Sequence, residues 1–154
     1  MKLNPILPLL LALQTYSQRN DGLTVQTQQG RVIGTLVTPT VRRFLGIPFA
    51  TTKRWQAPQL PPVRREDFIA NKFGDSCIQQ LSPENVEYLI LSNTQGINVT
   101  GSEDCTSINI WTPSTDRKQK TAVMVWIYGG EFTFGTVSDI CSALRWMFLL
   151  ISDF

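Results

Sequence analysis

The run Ala122-Val123-Met124-Val125-Trp126-Ile127-Tyr128 is almost entirely apolar, and it empties directly into Gly129-Gly130-Glu131-Phe132. A strand with one wet face alternates polar and apolar residues. A short unbroken apolar run ended by a turn signal therefore reads as a strand covered on both faces. It predicts the centre of a sheet with further layers packed on either side. The double glycine at its end lets the backbone approach another group more closely than a side-chain-bearing residue would. The 154 residues contain no histidine.

Bulk properties narrow the class only a little. A chain of 154 residues can bury one domain's core. Its 42% hydrophobic and 17% charged residues are ordinary for a globular protein. The net charge of +2 is too small to point to nucleic acid. The basic pairs Arg42-Arg43 and Arg64-Arg65 are separated by apolar and proline-rich sequence, and both are expected to be solvated surface charges. No internal repeat or low-complexity segment is present, and nothing suggests a metal or cofactor.

The amino-terminal segment is more specific. Lys2 precedes an uncharged apolar stretch, Ile6 to Leu13, followed by Thr15-Tyr16-Ser17 with small residues at the two positions a signal peptidase inspects. Residues 1–17 are thus expected to be a secretory signal cleaved after Ser17. The stretch is too short for a membrane span, and Pro5 and Pro8 disfavour a buried helix. Secretion changes the reading of the three cysteines, Cys77, Cys105 and Cys141. In an oxidising compartment a nearby pair is expected to be bridged. Cys77 and Cys105 enclose a polar loop, which leaves Cys141 over. Within that loop Asn98-Val99-Thr100 is a glycosylation sequon, so Asn98 is expected on an extracellular surface.

Along the chain, Thr24 to Thr27 alternates and Gly30 to Val37 resumes after Gln28-Gln29, which predicts a β-hairpin. Arg43 to Ala50 reads as a short strand ended by Pro48. Ala57 to Val63, with three prolines, reads as extended connector, and Phe68-Ile69-Ala70 is too short to assign. Ser82 can cap a helix with Pro83 at its first position and Glu84 in its first turn, the run Val86 to Leu91 offering an apolar face. Ser107 to Trp111 alternates as a strand with Ile108 and Ile110 on one side. Lys118 to Lys120 reads as a charged turn, and 140–154 as a short helix at most.

Four segments, in order, carry a resemblance: Phe44-Leu45-Gly46-Ile47-Pro48-Phe49-Ala50; Arg54-Trp55 with Pro58; Glu103-Asp104-Cys105 followed by Ile108-Asn109-Ile110-Trp111; and Val125-Trp126-Ile127-Tyr128-Gly129-Gly130 with Phe132. Through them the chain resembles the amino-terminal part of the type-B carboxylesterase/lipase family, closest in style to its secreted fungal members. The resemblance covers about residues 22–139, giving a partial domain over 18–139 and a divergent tail over 140–154. It implies the α/β class: the N-terminal part of an α/β-hydrolase fold, a β-hairpin plus the first strands of a central mixed sheet, incomplete.

The resemblance also implies ester hydrolysis by a serine, histidine and acid triad. It places the family's oxyanion-hole amides on Gly130 and Glu131, supported by Gly129. Such amides must aim at a carbonyl oxygen as it becomes negative. Glu131 departs from the small residue usual there, and its carboxylate would repel an oxyanion unless it points away or is paired. The Cys77–Cys105 loop matches the family's first disulfide loop, either a lid or rim over the site or a purely structural loop. Arg54 and Glu103 match a pair that forms a partly buried salt bridge at the loop's base.

The 154 residues hold no G-x-S-x-G and no histidine, so nucleophile, base and acid are all missing from the matched pattern. The expected function is a secreted carboxylic-ester hydrolase, present as a fragment inactive on its own. In the full-length relative the substrate is a small-molecule or lipid ester. The alternative is a catalytically silent, esterase-like binding or adhesion module. An unrelated small β-rich domain is disfavoured by the ordered motifs.

Overall fold

The computed structural model describes residues 22–92, 101–115 and 122–138. The expected signal segment, the sequon at Asn98, the Lys118–Lys120 turn, Cys141 and the tail over 140–154 lie outside the described residues.

The chain opens with the expected hairpin. Strand β1, Thr24–Thr27, pairs antiparallel with β2, Gly30–Ile33, across Gln28-Gln29. Thr27 closes the turn: its hydroxyl donates to the Gly30 carbonyl at 2.7 Å and accepts the Gln29 amide at 3.2 Å. The second arm is shorter than the Gly30–Val37 run suggests, because the chain changes sheets at Gly34. A side chain there would sit 2.6 Å from the Arg43 carbonyl and the Phe44 ring, so a glycine is what lets the strand cross so close to its neighbour. Beyond it, β3, Thr35–Thr38, pairs with β4, Val41–Pro48.

Strand β4 is the spine. It runs antiparallel to β3 on one side and, further down the chain, to β8, Ser107–Pro113, on the other. It ends at Pro48, as the missing amide of proline requires. The unassigned Phe68-Ile69 forms β5, added parallel to β2. The connector before it stays extended, with a bridge between Thr51 and Gln59. Strand β6, Ser76–Cys77, pairs parallel with β7, Gly101–Ser102. Between them lies α1, Pro83–Ser92. Its start is built as expected: the Ser82 carbonyl accepts the Val86 amide at 3.0 Å and its hydroxyl accepts the Asn85 amide at 3.2 Å. Glu84's own backbone amide, and then the Ser82 hydroxyl, hold its carboxyl below its ordinary pKa. The stabilising effect is present above the ordinary carboxylate range and is lost as pH falls through the lowered value. The side chains from Tyr88 to Ser92, which carry most of the expected apolar face, lie outside the described set.

The core sits where the two three-stranded sheets meet. Val32, Phe44 and Ala70 are buried together, with Ile47 and Phe68 packed against them. The Leu45 amide donates to the Ala70 carbonyl and the Ala70 amide to Ile33, tying the sheets by backbone bonds. Arg42 is not a solvated surface charge. It is buried, and its guanidinium donates to the carbonyls of Pro113 at 2.9 Å and Gly22 at 2.5 Å. A strand buried on both faces sends even its polar side chains inward, where carbonyls must take the place of water. Arg65 is exposed as expected, whereas Arg43 and Arg64 are half-buried.

The second correction concerns Ala122 to Tyr128. The run is not a strand; it is irregular, exposed from Ala122 to Ile127 and half-buried only at Tyr128, with Val125 at 76% and Ile127 at 82%. A strand exists only through its neighbours, and among the described residues none pairs with this segment. Ile108 and Ile110 share one face of β8, and that face is likewise open. Such unpaired apolar backbone invites association. The purified chain is therefore expected to associate at micromolar concentration in dynamic light scattering. Val125→Lys with Ile127→Lys should shift it toward monomer; a monodisperse parent chain would contradict the exposure described.

Candidate functional site

The turn after the apolar run is built on Gly130. Its carbonyl accepts the amides of Thr133 at 2.9 Å and Phe134 at 3.2 Å, and the Thr133 hydroxyl at 3.0 Å. Three successive residues are left-handed: Gly130 at φ +121°, Glu131 at +54° and Phe132 at +62°. A Cβ on Gly130 would collide with the Phe134 carbonyl oxygen, so only glycine closes this turn. Glu131 and Phe132 have no such freedom, and a non-glycine residue in this region costs about 1–2 kcal/mol. Strain of this sort concentrates where backbone groups must face a particular way. Among the described residues neither the Gly130 nor the Glu131 amide has an acceptor. The Glu131 side chain is exposed, so its charge is solvated rather than turned into the chain. Gly129, before the turn, has open space around it.

The residues after the turn are fastened to the layer that carries the disulfide. Gln79 binds Gly135 twice: its Oε1 accepts the Gly135 amide at 2.7 Å and its Nε2 donates to the Gly135 carbonyl at 2.9 Å. The same Nε2 lies 3.2 Å from the Cys77 carbonyl. Ser76, Thr136 and Ser138, all buried, form a chain of hydroxyls at 2.8 and 2.9 Å. Asn109 accepts the Gly46 amide at 2.8 Å and donates to the Val137 carbonyl at 2.9 Å, bridging the bulged end of β4 to the loop. None of these fasteners was singled out from the sequence. Asn109 had a signal, a polar residue between Ile108 and Ile110 on the opposite face of a strand; Gln79 had none beyond its place after Cys77.

Cys77 and Cys105 are joined, with their Cα atoms 4.9 Å apart. Register explains the meeting. Cys77 ends β6, and Cys105 lies between β7, which pairs with β6, and β8, which pairs with β4. Beside the bridge an open cleft is lined by Arg54, Trp55, Ile78 and Glu103 together with the two half-cystines.

The Arg54–Glu103 pair forms at 3.2 Å, but it is not partly buried: the two side chains are 66% and 51% exposed. Arg54 also lies 5.4 Å from the centre of the Trp55 ring, which is itself open to solvent. Water screens the pair on most sides, so its contribution belongs with surface ion pairs, about 0–1 kcal/mol, rather than with buried ones. Among the described residues no three His, Cys, Asp or Glu side chains gather as metal ligands. No described helix is long and apolar enough to cross a membrane.

The carboxylesterase family model matches residues 21–146. The chain belongs to the carboxylesterase family. The match reaches into the segment read from sequence as a divergent tail. Among curated relatives, an acetylcholinesterase of Electrophorus electricus is 36% identical over 132 residues, covering 79% of this chain and 20% of that protein. A human cocaine esterase is 32% identical over 140 residues, covering 84% of this chain and 25% of that protein. A solved PNB esterase superposes with a TM-score of 0.62 at 36% identity, over 75% of this chain and 23% of the esterase. The fold is therefore the amino-terminal part of an α/β-hydrolase, here mostly strands. The chain spans about a fifth to a quarter of the length of these carboxylesterase relatives. They do not bear on the resemblance to fungal members.

Two substitutions separate the stabilising roles at this site. Cys77→Ser should lower unfolding stability in denaturant by about 3–4 kcal/mol, the chain-entropy effect of a loop this long. Arg54→Ala should lower it by less than about 1 kcal/mol. Equal effects would contradict the exposed ion pair.

Proposed function

We propose that these residues are the section of a secreted carboxylic-ester hydrolase that carries its oxyanion-hole amides, with the nucleophile and histidine encoded outside these 154 residues. The observation that carries this is the turn at Gly130. It follows the apolar run in a carboxylesterase-family chain, is held in left-handed backbone, and presents two adjacent amides without an acceptor among the described residues. When a serine oxygen attacks an ester carbonyl, the carbonyl oxygen takes up the negative charge. The Gly130 and Glu131 amides, preset by the turn, would donate to it without reorganising. The exposed Glu131 side chain leaves its carboxylate in water, where its repulsion of the oxyanion is weakened by solvent.

The substrate class is a small-molecule or lipid ester. The secretory signal over 1–17, the bridge between Cys77 and Cys105 and a glycan on Asn98 fit one extracellular history. By themselves the 154 residues lack the groups that would attack and transfer protons, so they are expected to be inactive.

A short-chain aryl ester assay tests this on the purified chain beside a version extended by its downstream coding sequence. The short chain should show no turnover above background. The extended version should be active, and Gly130→Pro in it should lower kcat by about a hundredfold or more, as loss of one oxyanion donor does. Turnover by the short chain that is abolished by a serine-directed inhibitor would overturn the proposal.

A further inference from the structure

We infer that Gln79 is a positioning residue for the Gly130–Glu131 amides, acting as a clamp between the disulfide-bearing strand and the turn. The inference rests on the oxyanion reading above for its catalytic meaning, but the clamp itself rests on hydrogen bonds alone.

The apolar run before the turn is exposed up to Ile127 and unpaired among the described residues, so no neighbouring strand holds it from that side; only Tyr128 lies close to Gly135. Inside, Gly130 is bonded only to Thr133 and Phe134 among the described residues, which fixes the turn's shape and not its position. The far side is fastened by side chains, beginning at Gly135. There the carboxamide of Gln79 faces both backbone groups of one residue, donating to its carbonyl and accepting from its amide. That pairing copies what a neighbouring strand would supply, and a carboxamide is the side-chain group able to donate and accept in one plane.

Gln79 is itself fixed. It lies two residues past Cys77, its Nε2 reaches the Cys77 carbonyl, and Cys77 is locked to Cys105 and paired through β6 to β7. The route from disulfide to turn is therefore short and covalent up to one side chain. Asn109 at Val137 and the buried hydroxyl chain at Thr136 and Ser138 hold the residues that follow, farther from the Gly130 turn. Gly135 is at φ +136°, which places its amide and carbonyl toward Gln79 in a conformation other residues rarely adopt.

The test is amide-resolved hydrogen exchange on the full 154-residue chain, unreduced, at concentrations below the onset of association. The reporters are the amides of Gly135, Thr133 and Phe134, with Leu45 and Ala70 as controls in the sheet. Gln79→Ala should speed exchange at Gly135 by about tenfold or more, the consequence of losing its own hydrogen bond, and at Thr133 and Phe134 by a smaller factor as the unclamped turn opens more often. Leu45 and Ala70 should not change.

Gln79→Met fills the same space without hydrogen bonds and should behave like alanine. Gln79→Glu keeps an acceptor for the Gly135 amide and should restore protection at Gly135. Protection retained in Gln79→Met would show that packing, not the paired hydrogen bonds, holds the turn, and would overturn the inference. So would an unchanged Gly135 in Gln79→Ala, or faster exchange that includes the two sheet controls. Failure of the oxyanion reading looks different: the exchange pattern appears as expected, while Gly130→Pro leaves the extended enzyme's kcat intact.

Discussion

Everything described in this chain hangs on the double pairing of β4. It has a partner on each side, β3 and β8, as β2 has in the other sheet, and it brings Phe44 and Leu45 into the core. Its pairing with β8, from Val41 with Pro113 to Pro48 with Ser107, draws distant residues alongside it and so sets Cys105 opposite Cys77. At the bulge near Gly46 the ladder opens, and Asn109 of β8 takes the freed Gly46 amide with one end of its carboxamide. Its other end holds Val137. The same strand pair thus orders the core, the disulfide and the far end of the loop that follows the Gly130 turn.

The opposite condition governs Ala122 to Tyr128. Apolar composition gives a strand a reason to be buried but not a partner to hydrogen-bond, and backbone amides and carbonyls need partners wherever water is excluded. Without a neighbour among the described residues the run lies exposed up to Ile127. What persists beyond it is local: a glycine that alone can close the turn, and side-chain amides that tie the next residues to the layer below. The candidate site is thus specified from its carboxyl-terminal side, by Gln79 and Asn109, rather than by the strand that leads into it.

The readable parts of the sequence were those where local chemistry decides. The Thr27–Gly30 hairpin, the Ser82 cap, the stop at Pro48 and the alternation through Ser107–Trp111 each follow from a few adjacent residues, and each is present. The Cys77–Cys105 bridge and the place of the glycine turn were legible through family-like segments. What could not be read depends on distant neighbours. The change of sheet at Gly34 needs Arg43 and Phe44 pressed against it. Burial of Arg42 needs the Pro113 and Gly22 carbonyls at hand. Exposure of Arg54 and Glu103 is set by what surrounds the loop base rather than by either residue. Gln79 is invisible until Gly135 is folded against it.

The central claim is that these residues carry the oxyanion amides of a carboxylic-ester hydrolase whose nucleophile and base lie beyond them. Sequencing the mature transcript across and past the codon for Asp139 tests it most directly. The account predicts a continuous reading frame, by splicing or by a corrected junction, that encodes a G-x-S-x-G followed by a histidine. A transcript that stops after Phe154, with neither feature in any frame downstream, would contradict it.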